Sequence, residues 1–263
     1  MDDSLITLEN ATKIYSGKRI IDSVSHTFSA GESVAFYGHN GCGKSTMLKL
    51  LLGLISLSGG DIRYQGKLRF SYVPEKFAGP EIRMIDYLQG IARIENVEPS
   101  VVTGLINDLF LDSMTDTRMD KLSKGSLQKV GVIQALMAPH DVIVLDEPLS
   151  GQDADSQEVF ISKINGLRGK GVTVLMSCHE KKLIDAISDK VYTIEQGKLV
   201  PGMQKEEPVY TIRVRRNETL AMWPQMSSNG NRNEIRVGET NLRETVMKLY
   251  EEGWEIVGIE EHK

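Results

Sequence analysis

An α/β fold built on a parallel sheet, with a smaller β-rich unit behind it, is predicted by three features of the sequence. Residues 141–146, DVIVLD, and 171–179, GVTVLMSCH, are apolar runs of the kind that fill a strand buried on both faces. Between them, SQEVFISKINGL (156–167) has the spacing of an amphipathic helix, so strand and helix alternate as a parallel sheet requires. After Gly202 the texture shifts to short alternating strands, which divides the chain into 1–203 and 204–263.

Taken in order, LITLENATKIY (5–15) and HTFSAGESVAFY (26–37) read as paired strands joined by the turn-prone SGKR. TMLKLLLGLI (46–55) places Leu48, Leu51, Leu52 and Ile55 at helical spacing. Residues 58–77 read as short strands ending at Pro74. MIDYLQGIARI (84–94) and SVVTGLINDLFL (100–111) are helical and give a helical subdomain over about 81–125. In the last unit PVYTIRVRR, NEIRV and WEIVGIEE are strands. TNLRETVMKLYEEG is a helix, with Asn241 and Glu244 as a capping pair and Gly253 as its stop.

The chain of 263 residues can bury a substantial core, and its net charge of −5 gives no general attraction to nucleic acid or anionic lipid. Cys42 and Cys178, the two cysteines, read as thiols of a reducing compartment rather than a stapled secreted fold. No apolar window approaches a membrane span, and residues 1–30 do not resemble a secretory signal.

The chemistry starts at YGHNGCGKST (37–46). Gly38, Gly43, Lys44 and Ser45 meet G-x-x-x-x-G-K-[ST], and a strand precedes them while a helix follows. Glycines let successive N–H groups curl around phosphate oxygens, and the helix N-terminus adds partial positive charge. In this pattern Lys44 reaches the β- and γ-phosphates and Ser45 ligates Mg²⁺. VIVLDEP supplies two carboxylates at a strand's end: Asp146 for the metal and Glu147 to polarise an attacking water.

With these motifs in place the chain resembles the ATP-binding subunits of ABC transporters over about residues 4–200. LSKGSLQKV (122–130) resembles the family's signature segment, SGQD (150–153) its D-loop, and His179 its switch histidine, while Tyr15 stands where the family stacks an aromatic ring on adenine. The resemblance implies a P-loop NTPase cassette: an antiparallel β subdomain, a parallel-sheet core and a small α-helical subdomain, followed here by an α+β appendage. It implies ATP and Mg²⁺ as cofactors. Loop 38–46, including Asn40, Gly41, Cys42 and Thr46, would hold the nucleotide with Tyr15 and Glu75. Asp146, Ser45 and Glu75 would hold the metal, and Glu147, His179 and Lys44 would be catalytic. Two copies would close head to tail, so that Ser123 and the Gly125 backbone of one subunit complete the site of the other, and Asp153 of the D-loop would be among the nucleotide-binding residues. Partners implied are ATP, a second copy and a separate membrane permease, with no nucleic acid. The subunit would lie at the cytoplasmic face of the membrane through that permease.

Glu75 stands where the family's Q-loop usually has glutamine, and Lys124 and Ser126 depart from the common signature. Glu75 is read either as an oxygen donor near the metal or as a plain surface carboxylate. Glu75 and Lys124, with compact segments on either side, resemble the exporter branch that pairs with ABC-2-type permeases, so export is the expected direction. Two other readings remain open at this point: an ABC ATPase acting on nucleic acid or ribosomes, and a module in which ATP is only a switch.

Overall fold

The computed structural model describes residues 3–149, 152–203, 209–215, 227–229 and 232–262. The chain separates into two compact units, Met1–Gln204 and Lys205–Lys263. No helix among the described residues is long and apolar enough to cross a membrane.

Three strands of the first unit form an antiparallel layer in the order β2-β1-β4, with β1 at Ser4–Tyr15, β2 at Lys18–Ser29 and β4 at Gly59–Tyr64. The expected second strand is therefore two: HTFS ends β2, a turn follows with Gly31 at φ 73°, and SVAFY begins a new strand in another sheet. That sheet has six strands in the order β5-β6-β7-β3-β8-β9. Its members are β3 (Ser33–Tyr37), β5 (Phe70–Val73), β6 (Val142–Asp146), β7 (Thr173–Ser177), β8 (Lys190–Glu195) and β9 (Lys198–Pro201). Pairing is parallel from β5 through β8, and only β9 runs antiparallel.

Side-chain alternation shows why the central strands carry unbroken apolar runs. On β6, Val142 and Val144 pack in the core shared with the antiparallel layer, whereas Ile143 and Leu145 pack in the opposite core with the helices. On β7, Leu175 faces the first core and Val174 and Met176 the second. A strand covered on both faces has no polar side to show.

Helix α1 (Lys44–Leu51) follows β3 and buries Leu48 and Leu51. It is shorter than its apolar spacing suggests, because Gly53 at φ 68° turns the chain and leaves Leu54 59% exposed. Helices α2 (Met84–Ile94), α3 (Pro99–Asp108) and α4 (Lys124–Met137) form the helical region, joined to the core by Val130, Ile133 and Met84 among others. Helices α5 (Ala154–Arg168) and α6 (Lys181–Ile187) flank β7 in sequence. Helix α6 and the β8–β9 hairpin are elements that the sequence reading did not name.

In the second unit an antiparallel sheet runs β11-β12-β10-β13, with β10 at Val209–Arg215, β11 at Ser227–Asn229, β12 at Arg232–Gly238 and β13 at Glu255–His262. Helix α7 (Glu239–Glu251) covers Ile212, Val214 and Ile235 with Leu249, beside Trp254. The expected capping pair is not formed. Gly238 is the cap, Asn241 lies inside the helix, and Glu244 pairs with Lys248 at 2.6 Å. Gly253 does stop the helix at φ 82°, with the Trp254 N–H bonded to the Leu249 carbonyl at 2.8 Å.

Candidate functional site

Four adjacent parallel strands end on one side of the main sheet. Glu75 follows β5, Asp146 and Glu147 end β6, Cys178 and His179 follow β7, and loop 38–43 follows β3. Ligands of open α/β sheets sit at such carboxyl ends. A cavity of about 510 Å³ opens there, lined by Tyr15, Ile20, Asn40, Gly41, Gly43, Lys44, Ser45, Thr46, Glu75, Glu147 and His179. The antiparallel layer supplies Tyr15 and Ile20, and the sheet and α1 supply the rest.

The loop depends on glycine at two positions. Gly43 caps α1 at φ 118°, and a β-carbon there would lie 3.1 Å from Ile20 Cγ2 and 3.2 Å from the Ile20 carbonyl. Gly38, at φ 136°, faces Cys42 Sγ, which would stand 2.8 Å from an added β-carbon. Gly43→Ala is therefore expected to lower stability by about 1–3 kcal/mol through strain and to weaken nucleotide binding with it. Thermal melting and an ATP titration check both. No acidic residue lies in the first turn of α1, so its unpaired N–H groups keep a field that favours an anion.

Lys44 is 6% exposed. Its ammonium donates to the Gly38 carbonyl at 2.6 Å and the His39 carbonyl at 3.3 Å, and lies 3.8 Å from Glu147 Oε1. Ser45 Oγ donates to Asp146 Oδ1 at 2.8 Å. Asp146 is 1% exposed and accepts a second hydroxyl, Ser177 Oγ, at 2.6 Å. The Tyr72 hydroxyl lies 3.4 Å from its other oxygen, and burial first, then the Asp146 charge, push the Tyr72 phenol well above its usual range. A buried carboxylate and a hydroxyl held together give hard oxygen donors of the type that Mg²⁺ takes alongside phosphate and water.

Glu147 is at φ 48°, a left-handed conformation that a non-glycine residue adopts at a cost of about 1–2 kcal/mol. Its N–H is held by the Ser177 carbonyl at 3.2 Å and Ser177 Oγ at 3.0 Å, which offsets that strain. The side chain turns to His179, with Nδ1 at 2.8 Å from Oε2. An ionised carboxylate only accepts, so Nδ1 carries the proton of this bond. Glu147 Oε1 is buried and has no hydrogen-bond partner; its neighbour is the Lys44 ammonium.

Some expected site residues lie off the cavity wall. Gly38, Cys42 and Asp146 are not among the lining residues. Ser123 caps α4, accepting from the Ser126 N–H at 3.1 Å, and Gly125 is in that helix's first turn. Asp153 caps α5, accepting from the Ser156 N–H at 2.8 Å and the Ser156 hydroxyl, bonds that hold its carboxyl well below the usual range. None of these three residues lines the cavity of its own chain. Ser150 and Gly151 of the SGQD segment lie outside the described residues. Tyr15 is 45% exposed with the Lys13 ammonium 4.9 Å from its ring centroid, and Glu75 is exposed at the rim.

The family follows from comparison with known proteins. The ABC transporter family model matches residues 21–150. An uncharacterized ABC transporter ATP-binding protein of Methanocaldococcus jannaschii is 30% identical over 200 residues, covering 74% of this chain and 76% of the relative. The chain belongs to the ATP-binding proteins of ABC transporters. The zinc import ATP-binding protein ZnuC of Vibrio cholerae is 32% identical over 228 residues, covering 83% of this chain and 86% of that protein. Among solved structures, an ATP-binding subunit of an ABC transporter matches with a TM-score of 0.68 at 23% identity, over 76% of this chain and 90% of that one. A nucleotide-free ATP-binding cassette matches with a TM-score of 0.62 at 21% identity, over 76% and 91%. The fold is thus the cassette expected, and the protein is an ABC-type ATPase that energises a transporter.

Sequence reasoning passed over Ser177, which bonds both Asp146 and the Glu147 backbone. The signal was present: a hydroxyl closes an otherwise apolar buried strand, in direct register with Asp146. Neither cysteine forms a disulfide. Cys178 is 2% exposed, and burial pushes its thiol up to about 12. A thiol reagent at neutral pH is therefore expected to modify Cys42 rather than Cys178. ATP should slow that reaction, and the adduct should block nucleotide binding. Labelling rates equal with and without ATP would contradict the placement of the phosphate in loop 38–46.

Proposed function

We propose that this subunit drives a separate membrane permease by binding ATP between two copies of itself, arranged head to tail, and hydrolysing it there. The supporting observation is the convergence of four strand ends on one cavity, with the Glu147–His179 pair 2.8 Å apart at its wall and the signature segment off that wall. In this reading Lys44 leaves the Gly38 carbonyl for the β- and γ-phosphates, and Tyr15 stacks on the base. Mg²⁺ would be held by Ser45 and Asp146, with Glu75 near, and its charge would offset that of the phosphates.

Departure of Lys44 leaves Glu147 Oε1 as a bare acceptor within the cavity wall. That oxygen takes the proton of the attacking water while His179 holds the carboxylate through Oε2. Ser123 and the Gly125 N–H of the opposite copy meet the γ-phosphate from the N-terminus of α4. Cleavage of the γ-phosphate removes what the two copies share, so closing and opening become mechanical work on the permease.

For direction, the relatives weigh against the export expected from Glu75 and Lys124, since those named for their cargo are zinc import proteins at 27–32% identity. The reading we adopt is uptake, with a metal ion as the first cargo to test. Isolation of the tagged chain from native membranes is expected to bring a polytopic subunit with it, and vesicles holding both should accumulate metal on ATP addition. Isolation without such a subunit would remove the transport part, and metal extrusion would restore the exporter reading.

A further inference from the structure

Ser177 closes β7 directly beside Asp146 in the parallel register of β6 and β7, and it is fully buried. Its hydroxyl makes two bonds. It donates to Asp146 Oδ1 at 2.6 Å and accepts from the Glu147 N–H at 3.0 Å. A peptide N–H can only donate, so the lone pair of the hydroxyl goes to Glu147 and its one proton to Asp146. The chain of bonds therefore runs in one direction, from the Glu147 N–H through the Ser177 hydroxyl to the Asp146 carboxylate, and each link polarises the next.

Both ends of this chain need holding. Glu147 sits at φ 48°, where a residue with a β-carbon is strained, and its N–H is shared between this hydroxyl and the Ser177 carbonyl at 3.2 Å. The hydroxyl bond is the shorter, so it is the firmer of the two supports. Two residues further on, His179 holds the side chain of the same Glu147 through Oε2. The end of β7 thus fixes both the backbone and the carboxylate of Glu147. Ser45 and Tyr72 also approach Asp146, from α1 and β5, at 2.8 Å and 3.4 Å. Among the described residues, however, only Ser177 bonds both Asp146 and Glu147.

We infer that Ser177 is a positioning residue that aligns the metal-binding carboxylate and the base with a single hydroxyl, while itself lying off the cavity wall. A carboxylate held at a fixed angle by an outer hydrogen bond binds a metal better than one free to turn. A base whose backbone is fixed stays within reach of the water it deprotonates. This inference rests on the roles proposed above for Asp146 and Glu147.

The test compares Ser177→Thr with Ser177→Val in the full chain, two β-branched replacements that differ only in a hydroxyl against a methyl. ATP binding in the presence of a chelator should be the same for both. The Mg²⁺ midpoint of the thermal shift of the ATP-loaded protein should be about tenfold higher for Ser177→Val, the lower end for loss of a bond to a metal ligand. Its kcat should be about tenfold or more below that of Ser177→Thr, with KM for ATP little changed. That kcat ratio should shrink toward one when both are placed in Glu147→Gln, because the base that Ser177 aligns is then gone. A purely structural role would lower the melting temperature of Ser177→Val and leave the Mg²⁺ midpoint and kcat equal to those of Ser177→Thr, which would overturn the inference. If neither β-branched variant folds, Ser177→Ala against the unmutated protein is read in the same way. If Glu147→Gln keeps its turnover, the reading of Glu147 as the base fails, and the Mg²⁺ midpoint alone then decides for or against Ser177.

Discussion

Glu147→Gln is expected to cut steady-state ATP hydrolysis by about 10²- to 10⁴-fold, the usual worth of a positioned base, while ATP binding persists. The substitution preserves shape. A glutamine oxygen still accepts from His179 Nδ1, and the backbone bonds to Ser177 that hold this residue at φ 48° do not involve the side chain. What changes is the atom in place of Oε1, which becomes an N–H₂ donor that takes no proton. It also stands near the Lys44 ammonium, now 3.8 Å from Oε1, so any residual charge pairing is lost as well. Phosphate release under multiple turnover is the measurement. Turnover retained within about tenfold of the unmutated protein would move the base elsewhere in the site.

Lys44→Met is expected to weaken ATP binding by about 30- to 150-fold, the range for a hydrogen bond to a charged group of about 2–3 kcal/mol. Methionine keeps most of the stem that packs at 6% exposure and removes only the ammonium. Two consequences separate this from general damage. The loop carbonyls of Gly38 and His39 lose their donor, so the melting temperature should fall modestly. Loss of ATP affinity should greatly exceed that fall, because the ammonium's main partners in the bound form are the phosphates. Calorimetric titration with ATP decides it, and near-normal affinity would contradict the placement of Lys44.

Much of this was legible because the informative features are local. DVIVLD and GVTVLMSCH announce strands buried on both faces, and the alternation of Val142, Ile143, Val144 and Leu145 between two cores is the reason. Loop 38–46 combines an unusual backbone with a fixed lysine, so its chemistry is carried within ten residues. What stayed hidden depends on partners distant in sequence. Ser177 matters through Asp146, 31 residues away. Helix α6 is only seven residues long and β11 only three, too short for either periodicity to register. The Asn241 cap failed because Gly238 starts α7 earlier, where an extended glycine needs no side-chain bond.

The direction of transport was read from Glu75 and Lys124, and the relatives point the other way. On the proposed mechanism the subunit closes and opens on ATP in either case, so residues around the nucleotide would carry little information about which way cargo moves. In that reading the choice would lie with the permease.

On the mechanism proposed, ATP is sandwiched between two copies of this chain. Light scattering on Glu147→Gln with Mg-ATP, and in parallel with ADP, tests it most directly. A dimer is expected with ATP and a monomer with ADP. A monomer under both conditions, with ATP bound, would contradict it.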